Sequence, residues 1–171
     1  GVVWLTGLSA SGKTTIANKV ERSLFDKCYN IFMLDGDNLR DGLNFNLGFS
    51  KEDRHENIRR AGEVAAIMSN SGFIVISSFI TPLKVDREVA KKACKNNFYE
   101  VFVSASIEKC ELRDPKGLYK KARSGDIKDF TGIDSVYEVP ESPSLVINTE
   151  DAKENDSANE LIDFITSEFP I

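Results

Sequence analysis

Residues 7 to 14, Gly7-Leu8-Ser9-Ala10-Ser11-Gly12-Lys13-Thr14, constrain this chain more than any others. They fit G-x-x-x-x-G-K-[ST] in full, between an apolar stretch that reads as a strand and a run that reads as a helix. Such a loop turns backbone N–H groups onto phosphate oxygens at a helix N-terminus. The lysine reaches the β- and γ-phosphates, and the threonine hydroxyl reaches Mg²⁺. A chance glycine-rich turn is the bland alternative, and the strand before and helix after argue against it. The motif therefore points to MgATP or MgGTP, and the next residue, Thr15, continues the same segment.

Beyond the loop, short apolar runs alternate with longer helical patterns. Strands are expected at Val2 to Thr6, Ile31 to Leu34, Phe73 to Ser78, Tyr99 to Val103 and Leu145 to Ile147, with helices near 13–25, 51–70, 84–95, 106–113, 118–124 and 157–168. Ser50-Lys51-Glu52-Asp53 reads as a helix start, with Ser50 as cap and Asp53 at the positive end. For the last helix Asp156 or Ser157 is the expected cap, with Ile162, Ile165 and Phe169 on one face. Alternating βα units with nearly all-apolar strands imply an α/β fold, a five-stranded, mostly parallel sheet with helices on both faces. At 171 residues the chain reads as one domain, 1–171. It opens at Gly1 in an apolar stretch with no initiator methionine, so a segment of a longer protein is expected.

Charge narrows the ligand. The net of −5 argues against nucleic acid, whose binders carry a basic surplus, and no apolar run approaches the roughly 18 residues of a membrane span. The average is uneven, however: residues 109–128 hold seven basic against three acidic side chains, and 148–171 hold one against seven. A small basic segment in an acidic chain suits a small anionic ligand, though a solvated helix face is an equal alternative on charge alone. Cys28, Cys94 and Cys110 lie far apart with no C-x-x-C, and His55 is the sole histidine, which fits a reducing, cytoplasmic compartment with no disulfide framework or structural zinc.

In parallel sheets, ligands sit beyond the carboxyl ends of the strands. After strand two come Asp35 and Asp37, two residues apart, able to serve Mg²⁺ and an acceptor hydroxyl; an Asx turn is the structural alternative. Arg40, Arg54, Arg59 and Arg60 follow, forks suited to phosphate or sulfate, of which at least one of the last two reads as a surface ion-pair partner. Ser77, Ser78 and Thr81 offer hydroxyls that either face a ligand or shape a turn. The basic segment, punctuated by Pro115, Gly117 and Gly132, reads as a lid over about 114–135 that closes on phosphates and excludes water.

At this point whole motifs become specific. WLTGLS-x-SGKTT, LDGDN-x-R-x-GLN-x-x-LGFS, DR-x-EN-x-RR, E-x-CE-x-RD-x-KGLYKKAR-x-G-x-I and FTGID-x-x-YE-x-P occur in one order over nearly the whole chain. In these the chain resembles the adenylylsulfate kinases, three-layer P-loop kinases that transfer the ATP γ-phosphoryl to the 3′-hydroxyl of adenosine 5′-phosphosulfate, giving 3′-phosphoadenylyl sulfate. The resemblance implies that Gly7 to Thr15, including Leu8, Ser9, Ala10, Ser11 and Gly12, cradle the ATP phosphates, with Mg²⁺ near Thr14 and Asp35. It implies that Asp37 orients or deprotonates the acceptor hydroxyl, with Lys13 and Asp35 beside it. Arg40, Arg54, Asn57 and the Ile80-Thr81 backbone would hold the acceptor's phosphosulfate and ribose, under Lys116 as a lid cation. Phe49 and Phe130 would flank its adenine, with core packing as the alternative for each. Arg113 and the stretch from Leu145 to Ala152 would lie at the ATP adenine. A homodimer and a fused or partner sulfurylase are further expectations of the resemblance.

Three positions depart from that pattern. Ala10 stands where the family often has Gly, Thr81-Pro82-Leu83 replaces Ser-Pro-Tyr, and Asp129 precedes Phe130 where Gly or Asn is common. The Thr81 change puts a phosphorylated-enzyme form in doubt. The alternatives to this function are another small-molecule or nucleotide kinase of the same fold and a non-catalytic nucleotide-sensing domain. The presence of both Lys13 and Asp37 weighs against the sensing domain.

Overall fold

The computed structural model describes residues 1–170. In chain order the elements are β1 (Val2–Thr6), α1 (Lys13–Asp26), β2 (Ile31–Asp35), α2 (Gly36–Asp41), α3 (Lys51–Asn70), β3 (Ile74–Ser78), α4 (Lys84–Cys94), β4 (Phe98–Ser104), α5 (Ile107–Arg113), α6 (Leu118–Arg123), β5 (Leu145–Asn148) and α7 (Glu154–Glu168). The sheet runs β2-β3-β1-β4-β5, and every neighbouring pair is parallel. The expected sheet is thus present, all-parallel where mostly parallel was anticipated.

β1 lies in the middle and is buried throughout. Its side chains alternate between two cores, as strand geometry requires. Val3 and Leu5 face α1 and α7, packing with Ile16, Val20, Leu161 and Ile165. Val2 and Trp4 face α3 and α4, packing with Leu34, Ile58, Ala61 and Ala90. Each fully buried aliphatic side chain contributes roughly 1.5–3 kcal/mol. On the second side the helices approach closely: a Cβ on Gly62 would stand 3.0 Å from the Ala90 Cα. A third cluster joins Leu8 of the phosphate loop to Cys110, Tyr119, Ala122 and Phe130, so the basic segment packs through its own small core.

Two local expectations need correction. The segment after β2 is a short helix, α2, whose cap is Asp35: its carboxylate accepts from the Asp37 N–H at 2.9 Å. The last helix begins at Glu154 with Lys153 as N-cap and no capping side chain, three residues before the expected start. Asp156 sits in its first turn, where its charge opposes the positive end of the helix dipole, and Ser157 is buried. The Ser50 cap is as expected, accepting from the Asp53 N–H at 3.1 Å.

Parallel register aligns the carboxyl ends of β1, β3 and the edge strand β2. Leu5 of β1 pairs with Ser78 of β3, and Ser78 pairs with Asp35 of β2. That alignment places the phosphate loop, Ser78 and Asp35 at one rim of the sheet.

Candidate functional site

The loop Gly7 to Gly12 leaves β1 and turns directly into α1. A Cβ on Gly7 would fall 2.4 Å from the Val103 carbonyl, so only glycine allows this approach to β4. Lys13 is nearly buried, and its ammonium donates to the Gly7 carbonyl at 2.9 Å and the Leu8 carbonyl at 2.7 Å. Burial lowers its pKa to about 8. Ala10 takes φ 60, a left-handed conformation that costs a non-glycine residue roughly 1–2 kcal/mol. The loop keeps that conformation because its carbonyls are tied: Tyr119 Oη donates to Ser9 at 3.0 Å, Arg113 to Ala10 at 3.5 Å, and Thr149 Oγ1 to Ser11 at 2.8 Å.

The start of α1 and the rim of the sheet meet in a cluster of oxygens. Thr14 Oγ1 lies 3.3 Å from Asp35 Oδ2 and 3.2 Å from Ser78 Oγ. A hydroxyl, a carboxylate and a second hydroxyl converging beside a phosphate loop form an all-oxygen donor set, the chemistry Mg²⁺ selects. The chemistry of these residues therefore fits that ion. No group of three or more His, Cys, Asp or Glu among the described residues forms a denser metal centre. Asp35 forms the turn that the sequence offered as the structural alternative, since one oxygen caps α2, while its other oxygen faces Thr14.

Asp37 stands exposed on α2 and is ion-paired with Lys116 of the basic segment, 79 residues away. Farther out, Arg40 donates to the Gly48 carbonyl at 2.9 Å and lies over the Phe49 ring, 4.3 Å from its centroid. Burial, then the neighbouring Arg54, pull the Arg40 guanidinium below its ordinary pKa. Arg54 donates to the carbonyls of Phe49 and Asp129, each at 2.8 Å, and so joins the loop before α3 to the basic segment. Asp129 adopts φ 55, and its carbonyl accepts the bond from Arg54. Arg59 and Arg60 both pair with Glu56, whose carboxyl their hydrogen bonds hold at about 2. Both are thus ion-pair partners on α3, in keeping with the expectation that at least one would be.

The two aromatics fare differently. Phe49 is 69% exposed, whereas Phe130 is 8% exposed and meets Tyr119 edge-on, with centroids 5.0 Å apart. Asn57 is buried and accepts from Asn44 at 2.9 Å. The Ile80 carbonyl accepts from Thr6 Oγ1 at 2.7 Å and from the Gly7 N–H at 3.3 Å. Thr81 has φ 41 and a buried hydroxyl that accepts from the Trp4 indole at 3.0 Å. Its carbonyl is held by Arg87, itself ion-paired with Glu100 at 2.8 Å. Arg113 also donates to the Thr149 carbonyl, while Ala152 is exposed beyond β5. Of Ser77 and Ser78, only Ser78 faces the site; the Ser77 hydroxyl is buried without a hydrogen-bond partner. Tyr119 and the Thr149 side chain were not expected at the loop, since a tyrosine in a basic helix and a threonine after a strand carry no spacing signal.

Comparison with known proteins agrees with this arrangement. Residues 1–148 match the profile of the family described as Adenylylsulphate kinase. The chain is 52% identical to the adenylyl-sulfate kinase of Clostridium kluyveri, over 96% of this chain and 83% of that protein. It is 53% identical to that of Bacillus licheniformis, over 96% and 84% respectively. The structure of the Mycobacterium tuberculosis APS kinase CysC in complex with AMPPNP and APS superimposes with a TM-score of 0.92 at 47% identity, covering 96% of each chain. Sequence profile, close relatives and fold converge on one answer: the chain belongs to the adenylylsulphate kinase family.

Proposed function

We propose that this protein transfers the γ-phosphoryl of ATP to the 3′-hydroxyl of adenosine 5′-phosphosulfate. One observation carries the reading: Asp37, linked through Asp35 to Thr14 of the phosphate loop, is met from above by Lys116. A carboxylate beside the phosphate loop and under a basic lid is suited to accept an alcohol proton. The complex of the related enzyme with AMPPNP and APS supports these two substrates.

In this reading the backbone of Gly7 to Thr15 and Lys13 bind the ATP phosphates, and Arg113 with the stretch to Ala152 borders the adenine. Thr14 and Asp35 would hold Mg²⁺, which neutralises charge on the β- and γ-phosphate oxygens. Arg40, Arg54, Asn57 and the Ile80-Thr81 backbone hold the acceptor, whose adenine stacks on Phe49 and reaches the edge of Phe130. The anionic acceptor draws Lys116 from Asp37, leaving that carboxylate to take the 3′-hydroxyl proton. The O3′ to γ-phosphorus bond then forms as the bond to the ADP oxygen breaks, with catalysis coming mainly from alignment and charge neutralisation. Transfer is direct, because the Thr81 hydroxyl is buried against Trp4 and not available as an intermediate acceptor.

An ATP-consumption assay offering adenosine 5′-phosphosulfate, AMP and a sugar panel tests the reading. Turnover with adenosine 5′-phosphosulfate is expected, and activity on AMP alone overturns it.

A further inference from the structure

In a trans peptide the C=O of one residue and the N–H of the next point in opposite directions. Whatever fixes a phosphate-loop carbonyl on the outside therefore fixes the following amide on the inside. The Ser9 carbonyl is fixed by the hydroxyl of Tyr119, 110 residues along the chain and on the basic lid helix α6, at 3.0 Å. The peptide so held is the one that enters Ala10, which stands at φ 60 without the freedom of glycine. Tyr119 is itself immobilised: it is 1% exposed, edge-on to Phe130, and in the cluster with Leu8 and Cys110.

We propose that Tyr119 is a positioning residue for ATP: its hydroxyl holds the Ser9-Ala10 peptide with the Ala10 N–H turned to the phosphates, so that lid packing sets nucleotide affinity. This rests on the reading of the loop as the ATP site. Burial raises the Tyr119 pKa, so the hydroxyl remains a proton donor throughout the working pH range. Thr149 does the same at Ser11 from the opposite side, at 2.8 Å, and the Gly12 amide follows it inward. A glycine at position 10 reaches φ 60 without strain, and such a loop has less need of an external clamp. The lid tyrosine and the alanine of the loop are in this sense a matched pair.

Tyr119→Phe keeps the ring and its contact with Phe130 while deleting the donor. Calorimetric titration of the full chain with ATP and Mg²⁺ is expected to show five- to tenfold weaker binding, with the KM for adenosine 5′-phosphosulfate and the melting temperature little changed. Ala10→Gly in the same background is expected to recover at least half of that loss, a non-additivity that a double-mutant cycle reads directly. ATP binding within twofold of wild type in Tyr119→Phe overturns the proposal. So does an equal loss in the Ala10→Gly background, or a loss spread over both substrates with a lowered melting temperature. Wild-type protein that binds no ATP overturns the reading of the loop as well.

Discussion

The two sides of this site, proposed to hold nucleotide and acceptor, are built on different principles. On the nucleotide side the loop from Gly7 to Gly12 is contiguous, its lysine is buried, and the carbonyls of Ser9, Ala10 and Ser11 are each tied to a donor from another segment. On the acceptor side Asp37, Phe49 and Lys116 are exposed and come from three separate stretches, and α2 buries none of its residues. The first is held by hydrogen bonds to and within the loop, including those of Lys13 to the Gly7 and Leu8 carbonyls. The second is joined through charged contacts that a ligand can exchange, such as the Lys116 pair with Asp37. On the proposed reading, a tightly bonded half that aligns a triphosphate and an exposed half that admits an anion suit in-line transfer between them.

Substitutions can break this contrast, the largest effect first. Asp37→Asn is expected to lower kcat by about 10²–10⁴-fold, the range of a lost general base, with ATP affinity unchanged in equilibrium titration. A comparable loss of ATP affinity would merge the two halves. Lys13→Ala is expected to lower kcat by about 10²–10³-fold and to weaken ATP binding as well, seen in steady-state kinetics at varied ATP.

The aromatics sharpen the contrast further. Phe49→Ala is expected to raise the acceptor KM about tenfold with no shift in the denaturant midpoint, because its ring is 69% exposed. Phe130→Ala is expected to cost about 3 kcal/mol of stability in addition to raising that KM, since it removes a buried ring. Equal stability in the two variants would show that Phe130 is not a core residue of the lid.

The smallest effect is a pH dependence confined to the nucleotide half. Lys13 titrates at about 8, below its ordinary 10.5, so the free protein loses this charge as pH rises through 8. The kcat/KM for ATP, which reports free enzyme, is expected to fall above that pH, while kcat at saturating ATP persists to higher pH because bound phosphates restore the charge. Stability moves the other way: the unfolded chain keeps its proton up to 10.5, so this group's contribution to stability rises between pH 8 and 10.5. A denaturant series across that window checks the sign.

The same contrast governs what could be read from sequence. The phosphate loop, the five strands and the main helices were legible because local spacing and apolar runs determine them, and their bounds differ from expectation mainly by a residue. α2 was not legible, because a six-residue helix shows too little periodicity and its Asp-Gly-Asp start reads equally as a turn. The start of α7 was misplaced because no side chain caps it, leaving Asp156 and Ser157 as the nearest false signals. Phe49 and Phe130 both looked like aromatics stranded in polar loops; their different burial depends on Tyr119, which sequence proximity does not associate with Phe130. The family motifs point to the proposed acceptor residues, but the contacts that orient them, Asn44 to Asn57 and Arg54 to Asp129, arise only from folding.

Trp4 gives the acceptor half an optical handle. It is the only tryptophan in the chain, fully buried, stacked on Phe79 at 4.9 Å, and its indole N–H ends on the Thr81 hydroxyl. All indole emission of the protein therefore originates one hydrogen bond from Thr81, whose backbone is proposed to border the acceptor. A ligand that shifts that border is expected to change the intrinsic fluorescence of the unlabelled protein, on the timescale of a stopped-flow trace.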